Sequence, residues 1–69
     1  MNSFKSKTAI VKNATIGKNT KIWEYTNIYG CQIGDGCNIG SYVEIQKDVT
    51  IGNNVTISSH SFICSLVTI

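Results

Sequence analysis

The chain has 69 residues, a net charge of +2, and a composition that is 42% hydrophobic and 14% charged. It is too apolar and too weakly charged for a disordered tail, and its length allows one domain. No apolar run approaches a membrane span, and Met1–Lys7 lacks the apolar stretch of a secretory leader, so a cytoplasmic protein with no membrane partner is expected.

In chain order, residues 1–7 read as a loose lead-in and candidate cap for one end, and residues 8–69 as a single repetitive domain. The domain is marked by eleven isoleucines, Ile10, Ile16, Ile22, Ile28, Ile33, Ile39, Ile45, Ile51, Ile57, Ile63 and Ile69, with no isoleucine outside the series. Every interval is six residues except the five between Ile28 and Ile33. Small or β-branched residues follow four places after most of them: Ala14, Thr20, Thr26, Cys37, Val43, Val49, Val55, Ser61 and Val67. An amphipathic helix would repeat at spacings of three and four, and hairpin strands alternate with period two. A fixed hexapeptide period is instead a β-helix signature.

Six residues suit one short strand and one corner, and three such units close a triangular coil. The fold class expected is therefore all-β, a left-handed parallel β-helix of hexapeptide repeats with about three coils. Isoleucine points inward on each flat face, and β-branched residues pack well on such a surface. Asn13, Asn19, Asn53, Asn54 and the glycines suit the corners, where unusual backbone angles are needed. The phase predicts three stacked columns: Ile10, Ile28, Ile45 and Ile63; Ile16, Ile33, Ile51 and Ile69; Ile22, Ile39 and Ile57.

The corners differ. After the second face they repeat a small pattern, Ile16-Gly17-Lys18-Asn19, Ile33-Gly34-Asp35-Gly36 and Ile51-Gly52-Asn53-Asn54, as geometry alone would require. After the third face they carry a column of Tyr25, Tyr42 and His60, with Trp23, Glu24 and Ser59 beside it. The corner after the first face is also irregular, with Tyr29, the short unit Gly30-Cys31-Gln32, and then Gln46-Lys47-Asp48. Aromatic rings and a histidine aligned at one coil spacing could flank a planar base or position an amine. The Tyr25 corner is accordingly the candidate binding site, with Trp23, Glu24, Tyr25, Tyr42 and Ser59 toward substrate and His60 as the candidate proton acceptor. The bland alternative is that these side chains pack against one another or against neighbouring subunits.

Three cysteines without a secretory leader argue against disulfides. Cys37 occupies a small inward slot, while Cys31 and Cys64 are placed near one corner two coils apart. No metal is expected, because paired cysteine spacing is missing and a zinc-dependent β-helical carbonic anhydrase would need three histidines where the chain has one. The threonine column Thr15, Thr50, Thr68 is broken by Gln32, against an ice-binding face. The small net charge and the lack of arginine argue against a nucleic-acid partner.

The segments Ile22-Trp23-Glu24-Tyr25, Ile33–Gly40, Val49–Val55 and Ser59–Cys64 resemble the hexapeptide-repeat acyltransferases. Within these the similarity is closest to bacterial nucleotide-sugar N-acetyltransferases, and it runs over residues 8–69. The resemblance implies a homotrimer that transfers acetyl from acetyl-CoA to an amino group of a UDP- or dTDP-linked sugar in surface polysaccharide synthesis. It also implies further coils beyond Ile69, carrying the donor-side residues, so that the chain reads as an N-terminal fragment. Ser65-Leu66 departs from the family's usual acidic residue and glycine. The alternative reading is a truncated, non-catalytic oligomerisation scaffold.

Overall fold

A computed structural model describes residues 3–69. Its described elements are eleven short strands: β1 (Phe4–Lys5), β2 (Ile10–Lys12), β3 (Thr15–Ile16), β4 (Lys21–Ile22), β5 (Asn27–Tyr29), β6 (Gln32–Ile33), β7 (Asn38–Ile39), β8 (Glu44–Ile45), β9 (Thr50–Ile51), β10 (Thr56–Ile57) and β11 (Phe62–Ile63). All pair in parallel with the strand one coil away, giving sheets in the order β1-β4-β7-β10, β11-β8-β5-β2 and β3-β6-β9. A further bridge joins Thr50 to Thr68. This is a parallel β-solenoid of roughly four turns, consistent with the left-handed β-helix expected. The additional turn arises because Phe4–Lys5, within the expected lead-in, pairs with Lys21–Ile22.

The core is the stack of inward columns. Ile22, Ile28, Ile33, Ile39, Ile45, Ile51 and Ile57 are buried, with Cys31, Cys37, Val43 and Val49 in the narrow slots between them. Thr20 and Thr26 occupy equivalent slots and are buried without penalty because their hydroxyls donate to the Gly34 and Gly40 carbonyls at 2.8 and 2.7 Å, so that among the described residues no buried hydroxyl is left without a partner.

One column differs from the expected phase. Strand β2 pairs Val11 with Ile28 and Ile10 with Asn27, so Val11 takes the inward position and Ile10 points outward, 52% exposed. The reason is a short corner. From Val11 to Ile16, as from Ile28 to Ile33, the chain advances five residues rather than six, and the corner loses one residue in both coils. Ala9 then fills the slot two places before Val11 and is buried.

The placement of Cys31 follows from the same offset. It lies two residues before Ile33, in an inward slot, and is buried, whereas Cys64 is exposed. Both flank the corner after the first face, two coils apart. Cys37 is buried as expected.

At the β1 end, the inward position paired with Ile22 is filled by Lys5. Its ammonium donates to the Ser6 and Ala9 carbonyls at 3.5 and 3.2 Å. A charged group there closes the end of the apolar columns with donors, as terminal repeats of solenoids require.

Val11→Asp and Ile45→Asp should each place an unpaired carboxylate among apolar columns, at a cost of several kcal/mol, a large share of the about 5–15 kcal/mol that stabilises an ordinary domain. Ile10→Asp should change stability by less than about 0.5 kcal/mol, as exposed substitutions do. Urea unfolding followed by circular dichroism checks the register: if Ile10→Asp unfolds the chain and Val11→Asp does not, the five-residue first corner is wrong.

Candidate functional site

Each corner from Asn13 onward turns through one residue of positive φ: Asn13, Asn19, Tyr25, Gly30, Gly36, Tyr42, Asp48, Asn54, His60 and Leu66. After the second face that residue is Asn19, Gly36 or Asn54, the types that tolerate this conformation best. There the coils also approach closely. A Cβ on Gly34 would collide with the Asn53 amide oxygen, which accepts the Asp35 N–H at 2.8 Å. That corner is therefore fully explained by coil geometry.

The corner after the third face is not. Tyr25 and Tyr42 have φ of 58° and His60 of 66°, in a region that disfavours residues with a Cβ by about 1–2 kcal/mol each. Their rings stack: Tyr25 on Tyr42 at 5.2 Å between centroids and 24° between planes, and Tyr42 on His60 at 5.1 Å and 8°. Two such contacts return about 0.5–1.5 kcal/mol each. Three strained residues against two stacked pairs leave the ladder at best neutral for stability, and asparagine or glycine would serve the turn better. The coil demands a left-handed residue at this corner but not tyrosine or histidine in it, and a costly residue choice that the turn does not require points to a functional position.

The ladder is tied to the coils by backbone bonds. The Tyr42 N–H donates to the Glu24 carbonyl at 3.0 Å and the His60 N–H to the Ser41 carbonyl at 2.9 Å. Tyr25 N–H donates to the Thr8 hydroxyl at 3.1 Å. The rings fill one another's faces, so a base cannot lie between them. What they offer a ligand is a row of exposed edges, with Tyr25 and Tyr42 more than half exposed.

The structure thus brings Tyr25, Tyr42 and His60 into one continuous surface. Glu24 and Ser59 stand in the adjoining column with Ser41 between them. Ser59 Oγ accepts the Ser41 N–H at 3.2 Å, and a Glu24 carboxylate oxygen accepts the Ser6 hydroxyl at 3.1 Å. Trp23 lies apart from the ladder. Its indole N–H donates to Asn38 at 2.8 Å and its ring packs on Phe4 at 5.3 Å. Ser41 and Thr8 were not singled out from sequence. Counting back one coil from Ser59 and from Tyr25 finds them. Below Tyr25 a depression of about 520 Å³ is lined by Phe4, Lys5, Ser6, Lys7, Thr8 and Glu24.

On the next face Tyr29 donates its hydroxyl to Glu44 at 3.2 Å. Burial first, and then the bonded Glu44 carboxylate, raise the Tyr29 phenol above the usual range. Burial likewise pushes the Cys31 thiol up. Among the described residues no group of three histidine, cysteine or carboxylate side chains is placed to hold a metal ion.

Stacked parallel coils with an inward isoleucine every sixth residue define the class as a hexapeptide-repeat solenoid. The profile of the bacterial transferase hexapeptide family, six repeats, matches residues 30–65. The chain belongs to that family. Comparison with curated proteins returns no match.

The buried thiols give a direct check. In the folded chain at pH 8 a disulfide reagent should modify Cys64 rapidly, and Cys31 and Cys37 only on unfolding. Because folded Cys31 keeps its proton to higher pH than the unfolded thiol, its contribution is fully present below the unfolded value of about 8.5. It is lost as pH rises through the higher folded value. Replacing Cys31 with alanine should flatten that alkaline decline, and an unchanged decline would contradict the burial of Cys31.

Proposed function

We propose that this chain is an acetyl-CoA-dependent N-acetyltransferase acting on an amino group of a nucleotide-linked sugar. The observation that carries the reading is the ladder of Tyr25, Tyr42 and His60, held in left-handed backbone where turn-forming residues would be more stable. Family membership supports acyl transfer as the chemistry. The segments around Trp23, Glu24 and Ser59 support the nucleotide-sugar branch.

In this reading the sugar lies along the ring edges, with its hydroxyls toward Glu24, Ser41 and Ser59. The amine attacks the thioester carbonyl, a C–N bond forms, and the C–S bond breaks to release coenzyme A. The proton that the amine must lose passes to the His60 imidazole, which acts as the general base. A homotrimer is part of the proposal, since aromatic side chains on exposed ridges favour interfaces.

The second reading is a non-catalytic oligomerisation scaffold. It is favoured by one observation: the rings already occupy one another's faces, as packing residues would.

Calorimetry with UDP- and dTDP-amino sugars separates the two. Tyr25→Ala and His60→Ala should each weaken binding at least tenfold while circular dichroism stays native, and Asn19→Ala should bind like the parent. In an acetyl-transfer assay His60→Ala should lose about 10²–10⁴ in rate, the usual contribution of a general base. Equal affinity in all three variants would leave the ladder as packing and support the scaffold.

A further inference from the structure

We infer that the β1 end of the solenoid is a docking surface for an anionic lipid bilayer. Five of the six cations, Lys5, Lys7, Lys12, Lys18 and Lys21, precede the first acidic residue, Glu24. Residues 1–23 therefore carry +5, and residues 24–69, with Lys47 set against Glu24, Asp35, Glu44 and Asp48, carry −3, which together give the net +2. In a solenoid this sequence asymmetry becomes an axial one. Register places Phe4 beside Lys21, Ile10 beside Asn27 and Lys12 beside Tyr29. Everything from Phe4 to Trp23 thus lies within roughly one coil spacing, ~4.8 Å, of the same end.

All five lysines are exposed, and they surround the end of the molecule. Lys21 lies on the third face, Lys7 at the corner that follows, Lys12 on the first face and Lys18 at the corner beyond the second. The carboxylates nearest to them sit one coil further along the axis: Glu24 above Lys7, and Asp35 above Lys18, whose N–H it accepts at 2.8 Å. The result is a positive end layer backed by a layer containing acids.

Apolar side chains stand among these cations. Phe4, Ile10 and Trp23 are 47%, 52% and 38% exposed. Lysines interleaved with an exposed tryptophan, phenylalanine and isoleucine match the headgroup boundary of a membrane, where ammonium groups meet lipid phosphates and rings enter the acyl edge. Nucleic acid is the less favoured polyanion, because its recognition relies on the arginine fork and every cation here is lysine. The expectation of no membrane partner rested on the lack of an apolar span and leader, and surface docking requires neither.

Trp23 is the only tryptophan, so its emission reports contact directly. The full chain is mixed with vesicles of zwitterionic lipid alone, or with about one quarter anionic lipid, near 0.1 M salt. We expect co-sedimentation and a blue shift of Trp23 emission with anionic vesicles only, both abolished by high salt. Each reversed lysine should weaken partitioning about fivefold or more, so a chain carrying Lys7→Glu, Lys12→Glu and Lys21→Glu should lose at least a hundredfold. Lys47→Glu, on a corner two coils above Asn13, should bind like the parent. Should the triple variant misfold by circular dichroism, Lys12→Glu alone, with its fivefold loss, decides the matter. No binding, equal binding to neutral vesicles, an unaffected lysine variant, or binding to duplex DNA or heparin without binding to vesicles would each overturn the proposal.

Discussion

Parallel hydrogen bonding between successive coils is the constraint from which the rest of this molecule follows. Because each strand bonds only to the strand one turn away, residues seventeen or eighteen apart in sequence are stacked at a single strand spacing. Stacking turns a one-dimensional pattern into columns. An inward column must be apolar along its length, a corner column must supply a left-handed turn in every coil, and an outward column is free to vary. Core, turn and site are three columns of one lattice, and a residue's chemistry matters through the column it occupies.

This separation explains how a small chain can carry strain. The isoleucine columns and their valine, threonine and cysteine slots bury nearly all the apolar side chains of the central coils. The corner after the second face meets the turn requirement with asparagine and glycine. Against that background the left-handed Tyr25, Tyr42 and His60 are unfavourable choices that the core can tolerate. Their stacking partly offsets the backbone cost and holds the rings in a fixed row, presenting edges and one hydroxyl or ring nitrogen per coil. Pre-organisation of this kind suits recognition, since little side-chain freedom remains to be lost on binding.

The solenoid and most of its core were legible in the sequence, because six-residue spacing has a direct mechanical cause and each isoleucine reports its column. Ile10 was misplaced for an equally physical reason. A constant period extends the series one unit too far, whereas the real register follows the Ala9-x-Val11 pair and a corner shortened by one residue. The burial of Cys31 was missed by the same omission, since its slot is counted backward from Ile33 rather than forward from Ile28. The turn formed by Phe4–Lys5 was hidden because a lysine fills the inward position. The candidate corner was found by contrast between columns, yet the sequence could not show that the rings stack on one another and leave no gap for a base. Nor could it show that Trp23 turns away toward Phe4 and Asn38. Such details depend on side-chain direction, which the repeat does not encode.

The central claim is that the ladder is there for a ligand and the coils do not need it. The most direct test converts the corner after the third face into a copy of the one after the second, by Tyr25→Asn, Tyr42→Asn and His60→Asn in a single chain. The urea midpoint and the affinity for an amino-sugar nucleotide are then measured on the same preparation. Relief of about 1 kcal/mol of left-handed strain per position against loss of the stacking predicts a midpoint equal to or above that of the parent, with binding abolished. A chain that loses its fold, or one that folds and still binds, would contradict the account.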